Sequence, residues 1–122
     1  YPCAYSMTFN VTGNKLNAIL NQRSQDMLTA NNWNVCQYSA LTMMLAQVTG
    51  FEPGEFVHVI ADAHIYDRHI DLVKEVMEKT PFEAPKVRLN PDITDFYKFT
   101  VDDFIVEDYN FHKLGKKVPV AI

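Results

Sequence analysis

Four groups of residues have the types and spacing to do chemistry. Cys3 follows Pro2 and opens an alternating stretch, which puts its thiol at a strand end where it can face a cleft. A neighbouring cation favours the thiolate, the nucleophilic form. A cysteine there is equally a small apolar residue suited to a core, and position alone leaves both readings open. The run Asn21-Gln22-Arg23-Ser24-Gln25-Asp26 places polar side chains at the end of an otherwise apolar strand. Arg23 can fork onto phosphate oxygens while the Ser24 hydroxyl adds a donor, and both would raise the positive potential at a thiolate. The alternative is a solvated strand end whose Arg23 pairs with a carboxylate.

Asn34 falls in the first turn of a helix that should be buried, so its carboxamide must find partners. It can meet a ring N–H and a carbonyl of uracil together, or it can cap its own helix. His64-Ile65-Tyr66 puts an imidazole and a phenol on the same side of an extended segment, where both can hydrogen-bond one hydroxyl or serve as core residues with local backbone partners. His58 and His69 do not combine with His64 into a zinc spacing, and the cysteines are distant, so no metal is expected.

These residues need a scaffold. With 122 residues, 48% of them hydrophobic, the chain fits one domain, 1–122, with a real core. A net charge of −4 without any basic block argues against a nucleic acid polymer as partner, though a small phosphorylated ligand fits. Two cysteines make no disulfide framework, so a reduced, cytoplasmic chain is expected. No apolar run reaches the roughly 18 residues of a membrane span, and no signal peptide is visible. The chain begins with Tyr1 instead of Met, which fits a piece cut from a longer protein.

Tyr5, Met7, Phe9 and Val11 alternate with polar residues, and Gly13-Asn14 leads into a second alternating run through Leu16, Ala18 and Leu20. The pattern predicts a β-hairpin ending at Arg23. Asn31 and Asn32 read as N-caps of a long helix that Gly50 ends. That helix is apolar nearly all round and should be central. Glu52-Pro53-Gly54 reads as a turn before a third strand, Phe56 to Ala63, that stops at His64. Tyr66 to Lys79 predicts an amphipathic helix with Ile70, Val73, Val76 and Met77 inward. Two short strands follow, Pro85 to Leu89 and Phe104 to Tyr109, and the last six residues must either fray or dock. The fold class is α+β: a mixed β-sheet packed against a long central helix and further helices.

Taken together, Pro2-Cys3, Gln22-Arg23-Ser24 with Asp26, Asn34, His64-Ile65-Tyr66 and Pro119-Val120-Ala121-Ile122 resemble the thymidylate synthase family in order and spacing. The similarity runs the whole length of the chain, which would be the C-terminal portion of such a domain with the N-terminal half absent. No single motif is specific; five in register are. The resemblance implies that Cys3 adds to C6 of dUMP, making C5 nucleophilic toward the one-carbon unit of methylenetetrahydrofolate, with dTMP and dihydrofolate as products. It also implies that Gln22, Arg23 and Ser24 belong to the dUMP site, with Arg23 helping to keep the sulfur ionised. Asn34 reads the pyrimidine edge, and His64 and Tyr66 bind the sugar hydroxyl. Asp26 hydrogen-bonds the pterin of the folate co-substrate, and the C-terminal segment, Ala121 included, closes over the ligands. By the same resemblance the protein is a homodimer.

Two departures stand out. Ala4 replaces the His that usually follows the nucleophile, and Ala30 replaces a Gly four residues after the pterin-binding Asp. The family's flexible arginine loop, its water-organising glutamate and the arginines donated across the dimer interface have no counterparts in this stretch. The fragment is therefore expected to show little turnover by itself. Three rivals remain: a pyrimidine nucleotide hydroxymethylase of the same fold, a non-catalytic dimerising remnant, and a cysteine hydrolase, which would need a His base on the sulfur.

Overall fold

The computed structural model describes residues 2–120. Strand β1, Ala4–Thr12, turns into β2, Lys15–Asp26, through Gly13, whose φ of 63° is the left-handed conformation that glycine adopts without strain. Along β2, Leu16, Ala18, Leu20 and Gln22 are buried while Ile19 and Arg23 are exposed, the period-two signature of a strand covered on one face. Helix α1, Asn31–Thr49, covers that face and returns the chain to β3, Glu52–His64, which runs parallel to β2. Parallel neighbours require such a crossover. The result is a mixed sheet in the order β1-β2-β3. Leu20, 1% exposed, sits at its centre, and burying a leucine contributes roughly 1.5–3 kcal/mol.

Several expectations change in the structure. β2 continues past Arg23 to Asp26, because β3 pairs with it as far as Asp26↔His64. Asn31 and Asn32 lie inside α1, where Ala30 occupies the cap position without a side-chain bond. Glu52-Pro53-Gly54 is not a turn but the start of β3, with a register irregularity opposite Leu16 and Ala18. An edge strand tolerates Pro53, which has no N–H to donate. Gly54 is needed there: a Cβ would fall on Asn17 Oδ1 and 2.9 Å from the Leu16 carbonyl. Asn17 Oδ1 in turn accepts the Glu55 N–H at 2.8 Å.

Helix α1 is less enclosed than its composition predicts. Only Thr42 and Ala46 are buried, and Trp33 is 77% exposed. A helix apolar on every side can bury against this sheet only the side that faces it.

The segment after β3 forms a tight helical turn, Asp67–His69, continuing as α2, Ile70–Met77. Its inward residues are His69 and Leu72, with Val73 half-buried, whereas Ile70, Val76 and Met77 are exposed. The covered stripe runs through His69, Leu72 and Val73 at the i, i+3, i+4 spacing of one helix face, starting one residue before the expected one. Strands β4, Lys86–Leu89, and β5, Phe104–Glu107, form a separate antiparallel ribbon with its own sheet register. Gln47 ties α1 to the loop after β4, donating to the carbonyls of Asn90 and Ile93 at 2.9 and 2.8 Å. Among the described residues no helix is long and apolar enough to cross a membrane.

Candidate active site

The ends of β2 and β3 and the start of α1 converge on a cavity of about 340 Å³ lined by Cys3, Gln22, Ser24, Gln25, Asp26, Ala30, Asn34, His64 and Tyr66. Placement beyond the C-terminal ends of parallel strands is where α/β sheets ordinarily bind ligands. Of the residues singled out in the sequence, Cys3, Gln22, Ser24, Asp26, Asn34, His64 and Tyr66 all line it. Arg23 does not. Its Nη2 instead reaches the Cys3 sulfur at 3.6 Å, while its backbone N–H donates to the Cys3 carbonyl at 2.8 Å. Arg23 thus borders the cavity through Cys3, whereas Ser24, Gln25 and Asp26 line it directly. The Ser24 hydroxyl is 3.5 Å from Asp62 Oδ2. Ala121 lies outside the described residues.

The register of β1 changes between Ala4, opposite Gln22, and Ser6, opposite Asn21, leaving Tyr5 as the extra residue. A bulge re-aims the side chains beyond it. Here it brings Cys3 opposite Arg23.

Two buried glutamines form the floor. His58 Nε2 lies 2.9 Å from Gln22 Oε1, and since a carboxamide oxygen only accepts, the His58 proton sits on Nε2. Burial holds His58 below its ordinary value, in keeping with a neutral ring. Gln22 Nε2 then offers two protons to three acceptors: the Ser24 carbonyl at 2.8 Å, Gln25 Oε1, and Asn34 Oδ1 at 3.4 Å. The chain from His58 through Gln22 orients the Asn34 amide, with Oδ1 toward Gln22. The Nδ2 protons have no recorded partner among the described residues, so they are available to an acceptor in the cavity. In the sequence Gln25 stands out only as part of a polar run and His58 only as a histidine outside any zinc spacing; their place behind Gln22 comes from the fold. Their signal is position: Gln25 lies three residues beyond Gln22, and His58 falls between Phe56 and Ile60 on the covered face of β3.

Asp26 Oδ1 accepts the N–H groups of Leu28 and Thr29 at 3.0 and 3.3 Å, and Oδ2 accepts the Thr29 hydroxyl. Burial raises the carboxyl, but the Thr29 hydroxyl and the two backbone N–H groups, with an electrostatic contribution from His69, outweigh it and hold Asp26 below its ordinary value. Asp26 is thus an ionised acceptor with a lone pair on Oδ2 still free for a ring N–H. His64 Nδ1 contacts Asp62 Oδ2 at 3.3 Å, and its ring meets Tyr66 edge-on with centroids 5.2 Å apart. Imidazole and phenol therefore face the cavity as a pair. Among the described residues no three His, Cys, Asp or Glu side chains are grouped to hold a metal ion.

Such a cavity offers a thiol beside a guanidinium, an amide that can read a heterocycle edge, and an imidazole and a phenol that can hydrogen-bond one hydroxyl. The family model for thymidylate synthase matches residues 1–122. This chain belongs to the thymidylate synthase family. Thymidylate synthase 1 of Bacillus amyloliquefaciens is 47% identical over 120 residues, covering 98% of this chain and 52% of that protein. The thymidylate synthase of Bacillus mojavensis is 48% identical over 108 residues, covering 88% of this chain and 39% of that one. The solved structure of thermostable thymidylate synthase A from Bacillus subtilis superposes with a TM-score of 0.89 at 45% identity, covering 99% of this chain and 42% of that one. The α+β thymidylate synthase fold is thereby established, and the chain spans about half or less of the length of the thymidylate synthases it matches.

Proposed function

We propose that this chain is the cysteine-bearing portion of a thymidylate synthase that converts dUMP to dTMP. The observation that carries the reading is the single cavity in which Cys3, Gln22, Ser24, Asp26, Asn34, His64 and Tyr66 meet, with the Arg23 guanidinium 3.6 Å from the sulfur. Cys3 is the nucleophile, and Arg23 stabilises negative charge on it before attack. Attack on C6 forms the S–C bond and sends the ring electrons toward O4, where the free Asn34 Nδ2 protons can stabilise them. Asn34 also selects uracil over cytosine, whose edge presents the opposite donor order. His64 and Tyr66 hold the sugar hydroxyl, and Ser24 with Gln22 completes the nucleotide site, which Arg23 borders through Cys3.

Methylenetetrahydrofolate, as co-substrate, supplies the one-carbon unit and the hydride. The residues present fit it: Asp26, an acceptor, lines the neighbouring cavity of about 410 Å³ together with Thr29, Ala30, Tyr66, Val118, Pro119 and Val120. A homodimer formed back to back fits the open face of the sheet, where Ile19, Val57 and Val59 are exposed. Free Cys3 and Cys36 fit a reducing, cytoplasmic setting. The 122-residue chain alone binds dUMP weakly and has little turnover, in keeping with the share of its relatives that it spans.

The test is Cys3→Ser in the longest chain that contains this stretch. Loss of turnover with retained dUMP binding supports the reading; unchanged turnover refutes it. Dihydrofolate formation, followed by its absorbance, separates a synthase from a hydroxymethylase. A protein that binds no nucleotide is the non-catalytic remnant instead.

A further inference from the structure

Consecutive residues of the turn after β3 grip consecutive carbonyls of the C-terminal segment. Arg68 Nη1 donates to the Val120 carbonyl at 2.8 Å, and His69 Nε2 lies 2.8 Å from the Pro119 carbonyl. A carbonyl only accepts, so the His69 proton on that side resides on Nε2. His69 is 1% exposed, and its other ring nitrogen, Nδ1, is buried without a partner among the described residues. Leaving a buried ring nitrogen unpaired is unfavourable. An apolar ring would fill the space without that penalty, so the bond made by Nε2 is what the imidazole contributes.

The gripped segment is a wall. Val118, Pro119 and Val120 line one side of a cavity whose other side is Asp26, Thr29, Ala30, Tyr66 and His69. Asp26, Ala30 and Tyr66 also line the cavity that holds Cys3. The His69 ring stands edge-on to Tyr66 with centroids 5.8 Å apart, linking the clasp to the nucleotide side. Because both contacts are to backbone, they fix where the segment runs irrespective of its side chains.

We propose that Arg68 and His69 form a clasp that positions the C-terminal segment and so sets the width of the second cavity. They are positioning residues, acting through Pro119 and Val120 without touching the nucleotide. The assignment of that cavity to the folate co-substrate rests on the proposed synthase function; the clasp does not.

Three variants test it in the longest chain that contains this stretch: Arg68→Met, His69→Leu and His69→Gln. The first readout is ligand-free tryptic cleavage after Lys117, measured by mass. Arg68→Met and His69→Leu should each accelerate it about fivefold, the effect of losing one hydrogen bond. His69→Gln should stay near wild type, because its amide donates to the same carbonyl. Arg68 is exposed, so its variant decides the matter even if His69→Leu does not fold. Wild-type cleavage rates in Arg68→Met and in any folded His69→Leu would overturn the clasp. The second readout is steady-state kinetics: KM for the folate co-substrate should rise severalfold in the two loosened variants while KM for dUMP holds. Equal changes in both, or none, would overturn the positioning role. A wild-type protein without turnover would refute the synthase reading and leave the cleavage result to judge the clasp.

Discussion

The Arg23 guanidinium nitrogen Nη2 lies 3.6 Å from the Cys3 sulfur, on residues already joined by a backbone hydrogen bond of 2.8 Å. The bulge at Tyr5 makes this pairing, so the contact is held by the sheet itself as well as by side-chain rotamers. A cation fixed in this way needs little reorganisation to meet negative charge developing beside it, the role proposed for Arg23.

Replacing Arg23 by Met should therefore slow alkylation of Cys3 by iodoacetamide. Unit charges about 4 Å apart in water interact by about 1 kcal/mol, which corresponds to about a fivefold change in rate. Cys36, exposed on α1, is the internal reference. An unchanged ratio of the two alkylation rates would show that the guanidinium does not stabilise the thiolate.

Asn34→Asp should exchange nucleotide preference. An oriented amide that loses its donor leaves the pyrimidine carbonyl unpaired, at a cost of about 1–3 kcal/mol, or roughly ten- to hundredfold in Kd for dUMP. The gain should appear with dCMP, whose ring offers an amino group to the new acceptor. Calorimetric titration of both nucleotides reads the exchange. Equal weakening of both would make Asn34 a structural residue only.

Away from the site, Asp103 fastens the loop between β4 and β5. Its Oδ2 accepts from the Thr100 backbone and hydroxyl, each at 2.8 Å, and its Oδ1 from Asn90 Nδ2 at 2.9 Å. The Thr100 backbone bond, then Asn90 and the Thr100 hydroxyl, hold this carboxyl below its ordinary value against the opposing effect of burial. A depressed folded value means that its stabilisation is present above the unfolded value, about pH 4, and is lost as pH falls through the folded one. Asp103→Asn should thus lower Tm at neutral pH, with the gap from wild type narrowing in acid. A gap that stays constant down to strongly acidic pH would contradict this.

Gly54→Ala tests the irregular start of β3. The added Cβ meets Asn17 Oδ1 and the Leu16 carbonyl, and overpacking of this kind costs about 1–3 kcal/mol. Urea denaturation should show a lower midpoint with an unchanged slope. Wild-type stability would mean that Asn17 swings away at no cost.

Local pattern carried the hairpin, the long helix and the third strand, because hydrophobic periodicity and Gly13 and Gly50 act within a few residues of themselves. It also carried the chemistry-bearing residue types and the family resemblance, which depends on order along the chain. Element ends were harder to read. The extension of β2 to Asp26 depends on its partner β3, and the strand start at Pro53 and Gly54 depends on Asn17, thirty-seven residues away from Gly54 in sequence.

What the amino-acid order determined by itself was the set of elements and the inventory of functional groups, since these follow from intrinsic backbone and side-chain preferences. Which groups meet was decided only by tertiary structure. The Tyr5 bulge turned Cys3 toward Arg23, register and packing brought Ser24, Asn34, His64 and Tyr66 to one cavity, and the same packing set His58 behind Gln22, which donates to Asn34. Distances between residues far apart in sequence arise from register and packing, and no local preference encodes them.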